Sequence, residues 1–185
     1  VMPELHFFIE REPSPVGEML IVTDEQDQLR ALDWHDYEER FLLLVRRQYP
    51  GHHIEFHEAT QRSTATPALQ AYFKGDLNAV DQLITATGGT EFQREVWQAL
   101  REIPAGETLS YGELSQRIGR PKAVRAVGMA NGANPISIVV PCHRVIGANR
   151  SLTGYGGGLD RKRWLLQHEQ TLSPTIPQSG RLPGF

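Results

Sequence analysis

Apolar and polar positions along the chain fall into two regimes. Over roughly the first sixty residues the apolar positions come mostly in short strand-like runs. Residues 5–10 (Leu-His-Phe-Phe-Ile-Glu) read as a strand and Pro13 to Gly17 as a turn. Glu18 to Thr23, with Met19, Leu20, Ile21 and Val22, reads as a second strand. Asp24 to Gln28 is a polar turn, and Leu29 to Trp34 alternates as a third strand, so an antiparallel meander is expected. Asp36 to Tyr49 then carries Phe41, Leu42, Val45 and Tyr49 at helical spacing and stops at Pro50-Gly51. His52 to His57 alternates as one more short strand. Thr66 followed by Pro67 predicts an N-cap and first turn, with a helix running to about Lys74 before Gly75.

Beyond Thr85 to Gly89, which reads as a linker, the periodicity turns helical. Thr90 starts an amphipathic helix with Phe92, Val96, Leu100 and Ile103 on one face, ended by Pro104-Ala-Gly106. Ser110 caps a short helix through Ile118, Gly119 stops it, and Pro121 is expected to open the next, to about Ala130. Two short helices about a tight glycine-containing turn make a helix-turn-helix pattern. Asn134-Pro135 breaks the chain, and Ile136 to Val140 is a strand-like apolar run leading into Pro141-Cys142-His143-Arg144-Val145. Gly154 to Gly158 is a glycine-rich loop, and a last helix spans about Asp160 to His168. The fold class predicted is α+β. Residues 1–85 form a small α/β domain, an antiparallel sheet with helices, and residues 86–170 a mostly helical domain with the helix-turn-helix. Residues 171–185 are expected to form a flexible tail.

Composition narrows the class. With 39% hydrophobic and 22% charged residues the chain is a globular protein of ordinary make-up, too apolar for wholesale disorder. Its longest clean apolar run, Phe41 to Val45, is far short of the ~20 residues of a membrane span. No export signal is legible, and a lone cysteine excludes an internal disulfide and fits a reducing compartment, so a cytoplasmic protein is expected. The net charge of −3 hides a division. Residues 1–90 hold 7 basic and 15 acidic side chains, net −8, whereas residues 91–185 hold 12 and 7, net +5. That asymmetry suggests that the second half alone meets a polyanion. His35, His52, His53 and His57 invite a metal hypothesis, but no cysteine accompanies them, and surface or packing histidines are the expectation.

Candidate chemistry centres on Cys142. A single cysteine is usually a small buried hydrophobe. Here an apolar run delivers it to an element boundary between a proline and a histidine. His143 and Arg144 beside it are the neighbours that lower a thiol pKa below ~8.5. Glu169, at the end of the final helix, is a candidate to orient the histidine in a Cys-His-Glu relay.

Residues 90–169 also carry an ordered set of motifs. These are Phe92-Gln93-Arg94-Glu95-Val96-Trp97, Tyr111-Gly112, Arg120 to Gly128, Asn134-Pro135, Ile138-Val139-Val140-Pro141-Cys142-His143-Arg144-Val145-Ile146, Gly154-Tyr155 and Trp164 to Glu169. In that order they resemble the catalytic domain of the O6-alkylguanine-DNA alkyltransferases, in the bacterial, constitutive form without an appended regulatory domain. The first half resembles the family's variable first domain in its order of elements. The resemblance implies a ribonuclease H-like N-terminal domain and a winged-helix-like C-terminal one.

It further implies DNA repair by direct reversal. The Cys142 thiolate takes a methyl or larger alkyl group from guanine O6, or from thymine O4, once and irreversibly. His143 acts as base through a bridging water with Glu169 polarising it, Tyr111 donates its phenolic proton, and Asn134 fixes the turn carrying the cysteine. The target base leaves the stack. Arg125 fills its place from the second helix of the motif, beside the small-sided Ala126, Gly128 and Asn131 and with Tyr111 helping to rotate the nucleotide. Val145, Tyr155, Gly156 and Gly157 form the base and alkyl pocket. The expected partner is double-stranded DNA containing alkylated guanine, with no cofactor and no membrane. The chain is expected to be a monomer in solution, with cooperative binding on DNA left open. Some family members hold zinc through N-terminal cysteines and histidines; with Cys142 as the lone cysteine, no metal is expected. Gly156 to Gly158 offer no side chains to close the pocket, so groups larger than methyl should enter. Two rivals are a helix-turn-helix regulator, for which the Ala/Gly/Val-rich second helix is a poor base reader, and a cysteine hydrolase, for which no oxyanion motif is visible.

Overall fold

The structure is a computed structural model that describes residues 2–147 and 154–170; the expected tail, 171–185, lies outside the described residues. Strands β1 (Glu4–Glu12), β2 (Met19–Thr23) and β3 (Leu29–Trp34) form the expected antiparallel meander. Helix α1 (Glu38–Arg47) follows a short 3-10 turn, His35–Tyr37. Strand β4 (His53–Glu58) then returns parallel to β1, so the sheet is mixed, in the order β3-β2-β1-β4, rather than antiparallel throughout. The crossover through α1 explains the direction: a helix carries the chain back over the sheet, and the next strand enters in the same sense as β1. This order, with β4 beside the first strand, is the ribonuclease H-like arrangement.

Helix α2 (Ala65–Phe73) begins one residue ahead of Thr66. Thr66 is therefore not the N-cap; it lies buried inside the helix, and its hydroxyl donates to Glu10 on β1. Ser63 donates to the same carboxylate at 2.9 Å, so the cap position yields to a tie between helix and sheet.

The second half is mostly helical. Helix α3 (Glu91–Arg101) starts at Thr90 in a reciprocal capping box with Gln93, and α4 (Tyr111–Arg117) starts at Ser110 in another with Glu113. Between these helices lies β5 (Leu109–Ser110), parallel to β6 (Val145–Ile146). Helix α5 (Val124–Gly132) begins three residues after Pro121, which sits in a turn closed by Ala123 N–H on the Arg120 carbonyl at 2.9 Å. Proline's fixed φ serves a turn as well as a first helical position, and here the turn prevails. Helix α6 (Leu159–His168) closes the described chain.

Two apolar clusters hold this together. The smaller lies between the sheet and α1 and includes Phe7, Ile9, Leu20, Phe41 and Val45. The larger crosses the whole molecule: Met19, Leu32, Trp34, Leu69 and Tyr72 of the first half pack with Val96, Trp97, Leu100, Val139 and Trp164 of the second. The segment read as a linker is pinned as well, because Leu29 donates to the Ile84 carbonyl and Ala86 to that of Leu29, both at 2.9 Å. Among the described residues no helix is long and apolar enough to cross a membrane.

Candidate active site

The run Ile136 to Val140, expected as a strand, is a succession of tight turns. Ile136 makes a single bridge to Leu32 of β3. The chain then folds on itself, with Val139 N–H on the Ser137 carbonyl at 2.8 Å and Val140 N–H on that of Ile136 at 3.1 Å. Ile138, between them, has φ 71°, a left-handed conformation that a β-branched residue adopts only under constraint. The run is apolar because Ile136, Ile138, Val139 and Val140 all face the core, not because they share a ladder. Asn134 ties the turn from inside. Its amide nitrogen donates to the carbonyls of Val140 at 2.8 Å and Ile136 at 3.3 Å, and its oxygen accepts from Ile136 N–H at 3.0 Å. Cys142 emerges from this knot at the start of a 3-10 turn, Cys142–Arg144.

Behind the cysteine lies a buried ionic cluster. His143 Nε2 is 2.8 Å from Glu169 Oε2, both side chains being inaccessible to solvent. Glu169 also receives Arg144 Nε at 2.8 Å, Arg144 Nη2 at 3.1 Å and the Tyr72 hydroxyl at 2.6 Å. Burial alone would raise this carboxyl, but His143 and Arg144 outweigh it and hold Glu169 well below the usual carboxylate range. Glu169 is therefore an anion, the proton between the pair resides on His143 Nε2, and Nδ1 keeps its lone pair. Burial holds His143 below its ordinary value, so the ring is neutral.

Two expectations need correction. Arg144 does not face the thiol: its guanidinium is spent on Glu169 and on the Ile103 carbonyl, 2.6 Å away. Nor is the free thiol acidic. Burial pushes Cys142 up to about 11, with Asn134 and Lys162 pulling against that rise. Lys162, which sequence reasoning missed, is the nearby cation. It is buried on α6, donates to the Val145 carbonyl at 2.7 Å, and is itself lowered by burial to about 8.

Cys142 opens onto a cavity of about 420 Å3. Of the residues expected there, Tyr111, Gly128, Asn131, Asn134, Tyr155 and Gly156 line it. His143, Glu169 and Val145 lie behind it, fully buried. Gly157 does not line it either. A Cβ there would come within 2.5 Å of Trp34 Nε1, so this glycine serves close packing rather than an open mouth. Arg125 and Ala126 are exposed on α5, outside the cavity. The opposite wall was not anticipated: Asp33 of β3 and Arg40 and Leu44 of α1 come from the acidic half. Arg40 Nη2 donates to the Gly156 carbonyl at 2.7 Å, tying the glycine loop to α1. The sequence signals for these residues are slight; Asp33 alone, a charge within a strand read as core, could have been noticed. Of the four histidines weighed as ligands, His57 stacks on His6, and among the described residues no three potential ligands gather around a common point.

The family described as 6-O-methylguanine DNA methyltransferase, DNA binding domain, matches residues 91–171. A methylated-DNA--protein-cysteine methyltransferase of Salmonella typhimurium is 53% identical over 165 residues, 89% of this chain and 96% of the relative. A protein of the same name from Methanosarcina acetivorans is 47% identical over 156 residues, 84% of this chain and 94% of the relative. Among solved structures, that of Mycobacterium tuberculosis OGT in complex with DNA superposes with a TM-score of 0.70 at 40% identity, covering 92% of this chain and 96% of the other. With similarity of this extent running through both halves and through the cysteine knot, the chain belongs to the methylated-DNA--protein-cysteine methyltransferases.

Proposed function

We propose that the protein repairs DNA by moving an alkyl group from O6 of guanine, and from O4 of thymine, onto Cys142. The observation that carries this reading is the placement of Cys142 in the wall of a base-sized cavity, with the buried His143–Glu169 pair directly behind it. The free lone pair on His143 Nδ1 accepts the thiol proton by way of a bridging water, and the Glu169 carboxylate steadies the imidazolium so formed. The sulfur–carbon bond forms as the carbon–oxygen bond breaks. The electron pair stays with guanine, which takes up the proton the thiol released. Tyr111, in the cavity wall, relays that one proton: its phenol donates to the departing base and is reprotonated from the imidazolium through water. Atoms balance without a cofactor, and the thioether leaves the protein spent.

Burial that raises the thiol pKa also removes water from the nucleophile, and the Lys162 ammonium and Asn134 amide favour the thiolate once the proton is drawn off. DNA is engaged through α4 and α5. Arg125 enters the stack as the base leaves it, and Ala126, Gly128 and Asn131 allow α5 to approach closely. Because an unpaired thiol lasts only in reducing surroundings, the site of action is the cytoplasm.

Intact mass after incubation with a duplex containing O6-methylguanine tests the proposal. One methyl group per molecule is expected, on Cys142, with no second turnover in excess substrate. Cys142→Ser should bind the duplex and gain no mass. Repeated turnover points to a hydrolase, and tight binding without mass gain to a regulator; either overturns the assignment.

A further inference from the structure

The cavity wall that confronts Cys142 from the N-terminal half is polar, and methyl transfer leaves that polarity without a purpose. Asp33 lies on β3 between Leu32 and Trp34, both of which are core residues. Its Oδ1 accepts from the Trp34 N–H at 2.8 Å; among the described residues Oδ2 has no hydrogen-bond partner. The basic groups nearby are committed elsewhere. Arg40 is bound to the Gly156 carbonyl and stacked over Tyr37, and Arg161 is bound to Asp36 and to the Val16 and Gly157 carbonyls. Among the described residues no ion pair is formed between Asp33 and either arginine, although the charge of both pulls its pKa down. A carboxylate without such an ion pair thus lies in the wall of the same cavity onto which Cys142 opens.

This arrangement works against the thiol. Burial outweighs the Trp34 N–H, Arg40 and Arg161 and raises the Asp33 carboxyl to about 6, so it is mostly ionised at neutral pH. Its charge then opposes formation of the Cys142 thiolate. A methyl group gains nothing from a neighbouring anion, whereas a substituent carrying a hydrogen-bond donor does. The cavity of about 420 Å3 falls within the ~300–1,000 Å3 typical of small-molecule sites, which leaves room for a base with a substituent of several atoms.

We infer that Asp33 is a specificity-determining residue whose carboxylate forms the polar end of the alkyl subsite. It accepts a hydrogen bond from short hydroxyalkyl groups on guanine O6 and turns away carboxyalkyl groups. The inference rests on alkyl transfer to Cys142 and names the substrate class within it. The chemistry of the step is unchanged: the carbon attached to O6 moves to sulfur, and the hydroxyl spectates while bound to Asp33.

Three duplexes, bearing O6-methyl-, O6-(2-hydroxyethyl)- and O6-carboxymethylguanine, test it through transfer rates followed by intact mass. Rates are taken for the natural protein, Asp33→Asn and Asp33→Leu, each expressed relative to that variant's own methyl rate. Asparagine keeps its oxygen for the Trp34 N–H and replaces Oδ2 by an uncharged amide N–H that donates to the hydroxyl oxygen instead. The relative carboxymethyl rate should therefore rise roughly tenfold while the relative hydroxyethyl rate stays within about twofold. Leucine removes the acceptor, so the relative hydroxyethyl rate should fall ~5- to 10-fold. Asp33→Asn keeps the acceptor for Trp34 N–H and serves if the leucine variant fails to fold. Both ratios unmoved in Asp33→Asn and Asp33→Leu, or all three adducts changing in step, would overturn the subsite and leave Asp33 acting on the thiol or the fold. Failure of the natural protein to take up methyl is a different result, which overturns alkyl transfer itself.

Discussion

Glu169 accepts four hydrogen bonds, from His143, Tyr72 and both Nε and Nη2 of Arg144, which makes it the residue on which the buried cluster turns. Glu169→Gln leaves Arg144 buried beside a neutral amide, and such a loss typically costs about 3–5 kcal/mol. The pH dependence has a definite sign. In the unfolded chain His143 gains its proton near ~6.5 and Glu169 near ~4.3, whereas the folded protein holds both pKa values lower. The unfolded state therefore binds more protons on acidification. Stability from the pair is whole above ~6.5 and drains as pH falls, by up to ~1.4 kcal/mol per pH unit for each proton. Urea melts at pH 7 and pH 4 should show the natural protein weakening with acid. Its margin over Glu169→Gln should narrow at pH 4, since glutamine has no proton to gain. A margin equal at both values would show that the cluster does not hold Glu169 as an anion. Transfer by the variant should also be slower by ~100-fold or more, because the base then lacks its counter-charge.

Elements separate recognition from chemistry. Arg125 and Met129 stand one turn apart on the exposed side of α5, whereas Gly128 and Asn131 of the same helix face the cavity. Arg125→Ala should slow repair of duplex DNA by an order of magnitude or more, since unstacking costs a few kcal/mol and the side chain offsets part of it. It should leave reaction with free O6-benzylguanine near normal, and equal slowing of both would show that Arg125 supports the fold. The loop before α6 should behave in the opposite way. Gly157→Ala must push a methyl group against Trp34 and Tyr155, at 2.5 and 2.8 Å, so both substrates should slow together, with stability down by about 1–3 kcal/mol. Helices α3 and α4 were legible in the sequence because their periodicity and their Thr90/Gln93 and Ser110/Glu113 boxes are local signals. The turns over 136–140 were not, because four buried apolar residues around Ser137 look the same whether in a ladder or a knot. Tyr72 was illegible for another reason: it meets Glu169 across 97 residues, and no spacing rule reaches that far. The Cys142, His143, Glu169 and Asn134 constellation was legible through its motifs, whereas the Asp33 and Arg40 wall depends on how the halves dock.

At the scale of the molecule, the change in charge near residue 90 is not a boundary in packing. The larger core draws Met19, Leu32, Trp34, Leu69 and Tyr72 from the acidic half, and burial of each such side chain contributes about 1.5–3 kcal/mol. Together, at roughly 7.5–15 kcal/mol, these are as large as the whole ~5–15 kcal/mol by which a domain is usually stable. Polar ties cross as well: Arg161 reaches the Val16 carbonyl at 2.7 Å, Gln48 reaches that of Ala133 at 3.1 Å, and Tyr72 reaches Glu169. A fragment of residues 86–185 keeps every motif of the cysteine and of the helix-turn-helix, and it should nevertheless fail to fold alone. It would expose Trp97, Trp164 and Val139 to water and leave the Glu169 cluster without Tyr72. Circular dichroism should show no cooperative melt for it, and free O6-benzylguanine should not transfer. Co-expression with residues 1–85 should restore both, because the missing core and cavity wall are then supplied in trans. A fragment that melts cooperatively and transfers within about tenfold of the whole chain would show that the first half covers the catalytic half without completing it.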